Sequence, residues 1–314
     1  MFKDKLRAWI EVQKFPRHSN DVFSFILGSV LAWYHTGLFN WGVFTIGLAA
    51  VFFMANGIYL TNEYQDYESD RANRGRIGGE NRGMGLDTTG GTRVLVNGRL
   101  NRRHVYIVGM VFFAICIPLG LILQFGFKTG FWTIPLGAAG LFFTYGYSNP
   151  PIKASYRGMG ELFMMLGYAA LVFTAYYIQA GVAWFPLVIC LPRILSVPAL
   201  KLLRNIPDAA ADESASKRTL VVMIGKTRAA WIYILLAVCS ILAFIPTVVV
   251  TLSPFVLLNL LPAYYLASSA YFITGGKWRD HAWLAKSCRN GFKGLLLIPV
   301  TLTLTFLLSA FTGW

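Results

Sequence analysis

The sequence is poor in charge, and it is poorest in acidic residues. Only 13% of its 314 residues are charged, and 14 Asp and Glu stand against 28 Lys and Arg. Since 56% of the residues are hydrophobic, this composition excludes an ordinary water-soluble domain. Cysteine is scarce as well, with four residues standing far apart, so the sequence indicates neither a disulfide framework nor a cysteine metal cluster.

The chain is instead rich in long apolar runs, several of which approach the roughly 20 residues that span a bilayer. We predict an all-α polytopic membrane protein, one domain over residues 1–314, with about nine transmembrane helices. No early apolar core with a cleavage site is present, so we expect no removable signal peptide. The predicted segments lie near 21–36, 41–61, 104–124, 130–147, 160–180, 184–203, 228–249, 251–273 and 293–313.

The net charge of +14 follows a topological pattern. With the N-terminus placed in the cytoplasm, Lys128 is the one basic residue on the outer side, and Arg193 falls within a span. This positive-inside bias predicts the orientation, and basic loops beside anionic lipid need no nucleic acid as a partner. The predicted cytoplasmic parts are 1–20, 62–103, 148–159, 204–227 and 274–292.

The first of the two longest loops, 62–103, begins with closely spaced polar side chains. Asn62, Asp66 and Asp70 follow one another at i, i+4 and i+8, which places them on one face of a helix. The glycine-rich remainder of this loop follows no strand, so we reject a nucleotide-binding loop. It is either a flexible lid over a site or a solvated loop.

The second long loop, 204–227, repeats the pattern with Asp208 and Asp212 at i, i+4 and Asn205 three residues upstream. Like charges at this spacing destabilise a helix unless a cation binds them. Carboxylate oxygens are preferred ligands of Mg²⁺, which commonly bridges them to substrate phosphates. The two motifs therefore predict a magnesium site, with solvated helix ends or pairing to nearby Arg and Lys as the alternative.

These motifs resemble those of a known family. NEYQDYESD (62–70) resembles the NDxxDxxxD motif of the UbiA superfamily of intramembrane prenyltransferases, and DAAADESASKRTL (208–220) is similar to its second motif. Residues 145–181 resemble the branch that prenylates dihydroxynaphthoate in menaquinone synthesis. The resemblance covers residues from about 14 to 230.

The sequence also departs from that pattern. Glu63 stands where the family usually has Asp, and Pro207 stands where this branch often has Arg. The stretch between Asp70 and Leu100 is longer than the branch leads us to expect. The change at Glu63 keeps the charge, Pro207 bears on one phosphate contact, and the longer stretch bears on the acceptor more than on the type of reaction.

The resemblance implies a UbiA-like helical bundle in which loops 62–103 and 204–227 form a cytoplasmic cap over the active site. It implies transfer of a polyprenyl group from a polyprenyl diphosphate to an aromatic, dihydroxynaphthoate-like acceptor within the membrane lipid. Metal ions and basic side chains neutralise a leaving diphosphate. The residues implied to hold Mg²⁺ and the diphosphate are Asn62, Asp66, Asp70, Asp208 and Asp212.

Further site residues are expected around the motifs. Tyr147 and Tyr156 are candidates to face an allylic carbocation with their rings, and an interfacial position is the alternative for both. Lys153 is a candidate catalytic residue as well as a diphosphate ligand, and Glu161 is a candidate for orienting the acceptor. Ordinary positive-inside charge is the alternative for Lys153, Arg157, Lys217 and Arg218, whereas Arg193 could instead satisfy backbone carbonyls that Pro192 and Pro198 leave free. Arg17 is a candidate through the resemblance. The candidates for diphosphate contact are Arg17, Lys153, Arg157, Arg193, Asn205, Lys217 and Arg218.

Other functions remain open on the sequence alone. A membrane terpene cyclase would ionise the same donor without an acceptor, and a prenyltransferase could use hydroxybenzoate, homogentisate or a glycerol phosphate instead. An ion-coupled transporter would place its charges near the membrane midplane, whereas these carboxylates cluster at one face. A scaffold would leave the crowded carboxylates without a stabilising partner.

Overall fold

The computed structural model describes residues 2–73, 77 and 91–313, and helices dominate it. Among these residues the β-structure amounts to one isolated bridge between Arg157 and Arg218, which confirms the all-α prediction. The helices are α1 Phe2–Val12, α2 Phe15–Thr36, α3 Trp41–Gln65, α4 Tyr67–Ala72, α5 Arg102–Leu121, α6 Thr133–Gly146, α7 Gly160–Ala180, α8 Phe185–Ile189, α9 Leu191–Ser214, α10 Leu220–Ile224, α11 Lys226–Leu242, α12 Ile245–Thr251, α13 Leu260–Tyr271 and α14 His281–Thr312.

Five helical stretches in the described part are long and apolar enough to cross a membrane. They are Trp41–Gln65, Arg102–Gly126, Gly160–Ala180, Lys226–Thr251 and His281–Thr312. The other four predicted segments fall on α2, α6, α8 with α9, and α13. Helices α6 and α13, with 14 and 12 residues, are shorter than a span requires. Helices α2 and α9 are longer, but they are more polar, with two charged side chains on α2 and six on α9.

The outside of the bundle is apolar, as expected of a surface that faces lipid. On α11, four large side chains at helical spacing are 45–64% exposed: Trp231, Leu235, Val238 and Leu242. A continuous apolar stripe of this kind on a soluble monomer would promote association. In a chain with membrane-length helices it is the face that contacts acyl chains.

Helices distant in the sequence pack together and enclose a central space. Helix α2 packs on α3, α7 and α14, while α9 packs on α7, α11 and α14. Helix α3 also packs along α5 and touches α6 and α7. This arrangement brings the C-terminal ends of α3 and α9, which carry the two acidic motifs, to the same end of the bundle.

The first acidic motif lies where α3 passes into α4. Helix α3 ends at Gln65 and α4 begins at Tyr67, yet the N–H of Asp66 donates to the carbonyl of Asn62 at 2.8 Å. The N–H of Asp70 in turn donates to the carbonyl of Asp66 at 2.8 Å. The backbone therefore stays close to a helical path through the junction, and the spacing of the motif is preserved.

The second acidic motif lies within one continuous helix. Asn205, Asp208 and Asp212 all belong to α9, although Pro207 lies among them. The sequence predicts a loop from residue 204, but helix α9 continues to Ser214 because its buried inner face extends that far. Both long loops therefore begin as helix and become irregular only after their motifs.

The segment that connects α4 to α5 is anchored at several points. Ile77 is buried and packs in the same cluster as Leu203 and Ile206 of α9. Val94 and Leu95 are buried in a cluster with Leu60 of α3. The predicted lid falls mainly on 74–76 and 78–90, which lie outside the described residues.

Candidate active site

A cavity of about 540 Å³ runs through the bundle. Along α3 and the residue that follows it, the lining extends from Gly47 to Asp66, a distance of about 28 Å at 1.5 Å per residue. Most of the wall is apolar, with contributions from α3, α5, α6 and α7. The charged side chains in the lining number five of each sign: Asp21, Asp66, Asp70, Asp208, Asp212, Lys14, Arg17, Lys201, Arg204 and Lys217.

Asp66 is the centre of the polar end of this cavity. Its Oδ2 accepts a hydrogen bond from Asn62 Nδ2 at 2.9 Å, and its Oδ1 accepts one from the Tyr156 hydroxyl at 2.9 Å. Lys217 Nζ lies 2.8 Å from Asp66 Oδ1 and 3.5 Å from Asp212 Oδ1. The buried ammonium of Lys217 therefore bridges the first motif to the second.

The charges of Asp66 and Lys217 stabilise each other, whereas the charged form of Asp70 is destabilised. Burial is the largest single influence and raises the pKa of Asp66, but the Lys217 ammonium, together with Lys201 and the Tyr156 hydroxyl, holds that pKa below its ordinary value. Burial alone lowers the pKa of Lys217, yet Asp66 and Asp212 raise it well above the ordinary lysine value. Burial and the negative charges of Glu63 and Asp66 raise the pKa of Asp70 well above its ordinary value.

Asn73 makes a second link between the motifs. Its Nδ2 donates to Asp208 Oδ1 at 2.7 Å, which joins the end of α4 to α9. Asn73 is 4% exposed and lines the cavity, and its Oδ1 is buried without a hydrogen-bond partner in the described structure. A buried oxygen that lacks a donor favours the approach of a cation.

The oxygen atoms at this end fit Mg²⁺, although the carboxylates are not clustered tightly. Among the described residues, no three His, Cys, Asp or Glu side chains are grouped closely enough to hold a metal. Mg²⁺ commonly uses one or two carboxylates together with waters and substrate phosphates, so a preformed cluster is not required. The oxygen donors that line the cavity here belong to Asn62, Asp66, Asp70, Asn73, Asp208 and Asp212.

Glu63 has a different task from the neighbouring carboxylates. It does not line the cavity; its Oε1 lies 2.7 Å from Lys14 Nζ and accepts the Thr92 N–H at 2.8 Å. Its Oε2 accepts the Thr92 hydroxyl at 3.0 Å. This clamp, formed by Glu63, Lys14 and Thr92, holds the start of α2 and the chain before α5 against α3.

Gly91 brings the backbone close to the first motif. Its φ is +54°, and a Cβ placed there would collide with the carboxylate of Asp70. A side chain is therefore excluded by both the backbone conformation and the space. The guanidinium of Arg93 also donates to the carbonyl of Asp70 at 3.1 Å, so this segment supports the α4 end of the site.

The structure brings together most of the site residues predicted from the sequence. The predicted residues that line the cavity are Arg17, Asn62, Asp66, Asp70, Tyr147, Asn205, Asp208, Asp212 and Lys217. Lys153, Arg157 and Arg218 do not line it. Lys153 Nζ lies 5.0 Å from the centre of the Tyr156 ring, while Arg157 and Arg218 are exposed.

Arg193 is also absent from the cavity lining, because it is committed to holding helices together. Its Nε donates to Ser24 Oγ at 3.0 Å, and its Nη2 donates to the Asn20 carbonyl at 3.0 Å. Its Nη1 donates to the Leu295 carbonyl of α14 at 2.9 Å. Arg193 is fully buried and joins α2, α9 and α14, which speaks against the predicted contact with the diphosphate.

Sequence reasoning did not single out Lys14, Asn73 or Arg204. A signal was present for two of them, because Asn73 follows Asp70 by three residues and Arg204 precedes Asp208 by four. Lys14 gave no such signal, since its proximity to the site depends on how α2 packs against α3.

The fold and the site together define an integral membrane protein whose long apolar cavity ends in opposed acidic motifs and basic side chains. Residues 22–287 match the UbiA prenyltransferase family. The chain belongs to this family.

Two curated relatives have related names. The chain is 26% identical over 222 residues to the 2-carboxy-1,4-naphthoquinone phytyltransferase of Synechocystis sp., over 70% of this chain and 66% of that protein. It is 24% identical over 202 residues to the 1,4-dihydroxy-2-naphthoate octaprenyltransferase of Bacillus subtilis, over 64% of this chain and 60% of that protein. In both comparisons the match spans slightly less than two thirds of the relative.

Solved structures share the fold. A UbiA homologue from Aeropyrum pernix K1 in its apo form superposes with a TM-score of 0.66 at 16% identity, covering 92% of this chain and 97% of that one. A UbiA homologue from Archaeoglobus fulgidus bound to DMAPP and Mg²⁺ gives a TM-score of 0.58 at 16% identity, covering 88% and 96%.

Proposed function

We propose that this protein transfers a prenyl group from a polyprenyl diphosphate to an aromatic acceptor inside the membrane, with Mg²⁺ as cofactor. One observation carries the proposal: two acidic motifs from different helices meet at one end of a long, largely apolar cavity. The polar end suits a metal-bound diphosphate, and the apolar length suits an isoprenoid tail. The relative from Archaeoglobus fulgidus, which binds DMAPP and Mg²⁺, supports this assignment.

In this proposal the head group of the donor lies between α3–α4 and α9. Bound Mg²⁺ supplies positive charge that makes diphosphate a better leaving group. Lys217 lies between Asp66 and Asp212 and is placed to stabilise the charge that develops on the departing diphosphate. The residues proposed to hold the metal and diphosphate are Asn62, Asp66, Asp70, Asn73, Asp208 and Asp212.

The walls of the cavity serve the carbocation that forms. The Tyr147 ring lines the cavity, and aromatic faces stabilise cations once water is excluded. Apolar side chains such as Phe163 and Leu141 keep water away from the reacting carbon. Lys153, Arg157 and Arg218 lie outside the cavity lining and take no part in this proposal.

We propose a dihydroxynaphthoate-like acceptor. The names of the Synechocystis and Bacillus relatives support it, as does the resemblance of residues 145–181 to the corresponding branch. Prenylation of a naphthoate would place the protein in quinone biosynthesis.

We also propose that the bundle crosses the membrane about nine times, with the N-terminus and both acidic motifs on the cytoplasmic side. The distribution of basic residues along the sequence supports this orientation. The two loops predicted from the sequence, 62–103 and 204–227, would then cap the polar end of the cavity. Water-soluble diphosphate would leave through this end.

A turnover assay on the purified protein tests the proposal. The protein in detergent receives Mg²⁺ and a labelled polyprenyl diphosphate, with or without 1,4-dihydroxy-2-naphthoate, and the lipid extract is analysed by mass spectrometry. We expect a prenylated naphthoate. Diphosphate release without any aromatic adduct would contradict the proposal and favour a terpene cyclase. Transfer to hydroxybenzoate alone would contradict the proposed acceptor.

A further inference from the structure

A second polar cluster lies inside the apolar part of the cavity, away from the acidic motifs. Asp21 of α2 lines the cavity, and its Oδ1 accepts a hydrogen bond from the Tyr168 hydroxyl of α7 at 2.6 Å. Its Oδ2 accepts a longer bond, 3.4 Å, from the Tyr59 hydroxyl of α3. Tyr59 and Tyr168 line the cavity as well. Burying a carboxylate among apolar walls costs free energy, so a carboxylate at such a position indicates a functional site.

This cluster is only partly satisfied by the protein. A carboxylate has about four acceptor sites, and the two tyrosine hydroxyls occupy two of them, one at a length typical of weak bonds. Next to it, Asn20 is 5% exposed and lines the cavity, and its buried Oδ1 has no hydrogen-bond partner in the described structure. The Asp21 carboxylate and Asn20 Oδ1 can therefore each accept a hydrogen bond from a ligand.

Arg193 holds the cluster in place from outside the cavity lining. Its guanidinium lies 4.6 Å from the centre of the Tyr168 ring, and it also binds the Asn20 carbonyl. Among the described ion pairs none joins Arg193 to Asp21, so the carboxylate oxygens of Asp21 remain available to accept other hydrogen bonds.

The position of the cluster relative to the acidic motifs suits an acceptor. Tyr59 precedes Asp66 by seven residues on α3, which is two helical turns or about 10 Å along the axis. That distance leaves room for an aromatic ring between the cluster and the diphosphate. Arg17, one turn from Asp21 on α2, also lines the cavity.

We propose that Asp21, with Asn20, Tyr59 and Tyr168, is the subsite that binds a hydroxyl of the aromatic acceptor. The hydroxyl donates to Asp21, while an acidic substituent of the same ring is paired with basic side chains of the lining, Arg17, Lys201 and Arg204. The bond to a carboxylate orients the ring and increases its electron density toward the allylic carbon. The acceptor class is a hydroxylated aromatic acid. This inference rests on the proposed function.

The test is a double comparison of protein and acceptor. Turnover is measured with 1,4-dihydroxy-2-naphthoate and with each of its monomethyl ethers, for the wild-type protein and for Asp21→Asn. Loss of a hydrogen bond to a charged group costs about tenfold or more. We expect one ether to react at least about tenfold less efficiently than the parent in the wild type, and this discrimination to fall to about onefold in Asp21→Asn.

A folding defect in Asp21→Asn does not affect this comparison. Each discrimination ratio compares turnover of the parent acceptor with turnover of its ether by the same protein sample. A smaller folded fraction lowers both rates equally and leaves the ratio unchanged. Binding of the prenyl diphosphate in Mg²⁺ should remain unchanged in Asp21→Asn. Tyr264→Phe, at a position 65% exposed, serves as a matched control for a loss of one polar group and should keep the wild-type discrimination.

Two results would overturn the inference. One is a discrimination ratio in Asp21→Asn equal to that of the wild type, and the other is a parallel loss of donor binding, which would make the cluster a tether between α2, α3 and α7. If the wild type forms no product, the proposed function fails. Equilibrium binding of the same naphthoate pair then tests the subsite by the same two comparisons.

Discussion

At the residue scale, two adjacent basic residues differ completely in their surroundings. Lys217 is 5% exposed, bridges Asp66 to Asp212 and lines the cavity. Arg218, the next residue, is exposed, and its backbone forms the bridge to Arg157. The sequence predicted diphosphate contact for both residues, because the sequence of a loop does not show which of two adjacent side chains is buried.

Replacing Lys217 by Gln should therefore reduce turnover far more than replacing Arg218 by Gln. Removal of one group that stabilises developing negative charge costs about 10²–10³ in rate, and we expect a loss in this range for Lys217→Gln. Arg218→Gln should stay within about threefold of the wild type. Initial rates at saturating donor check this, and equal losses in the two variants would refute the role given to Lys217.

At the scale of elements, several features were accessible from the sequence. The helical class and the apolar segments follow from the length of the apolar runs, and the one-sided spacing of both acidic motifs follows from helical periodicity. The sequence did not reveal that α9 remains helical to Ser214 or that α6 and α13 are short. Those boundaries depend on which helix faces become buried. In a membrane protein the faces toward lipid and toward the core are both apolar, so the sequence does not distinguish them.

The clamp formed by Glu63, Lys14 and Thr92 is an element-scale feature that sequence reasoning did not reveal. It joins the start of α2 and the chain before α5 to α3 through a carboxylate that is 2% exposed. Its partners are 49 and 29 residues away in sequence, at Lys14 and Thr92. Their proximity depends on how α2 and the returning segment pack against α3.

Glu63→Gln should therefore destabilise the protein, because it leaves the buried Lys14 ammonium without its counter-charge. Breaking a buried ion pair typically costs about 3 kcal/mol. Glu68→Gln is the matched control, since Glu68 is 62% exposed and lies 3.7 Å from Arg102. An exposed pair of this kind contributes little. Thermal unfolding in detergent compares the two, and equal transition temperatures would refute the clamp.

At the scale of the whole molecule, the cavity exists because α2, α3, α7 and α9 converge, and nothing local in the sequence determines that convergence. Asp21 of α2, Asp66 after α3 and Tyr168 of α7 belong to three segments that look unrelated in sequence, yet all line one space. The sequence identified the acidic end because like charges at helical spacing are conspicuous. It did not reveal Asp21, a lone carboxylate beside an apolar run, because its partners lie on other helices.

The proposed reaction requires the two acidic motifs to act together on one Mg²⁺-bound diphosphate. Equilibrium binding of labelled geranylgeranyl diphosphate to the purified protein tests this directly, for the wild type, Asp66→Asn and Asp208→Asn. We predict tight binding in Mg²⁺, loss of binding in EDTA with recovery on adding Mg²⁺, and at least about tenfold weaker binding in each variant. Binding that is indifferent to EDTA, or unchanged in either variant, would contradict joint action of the motifs on the metal-bound donor.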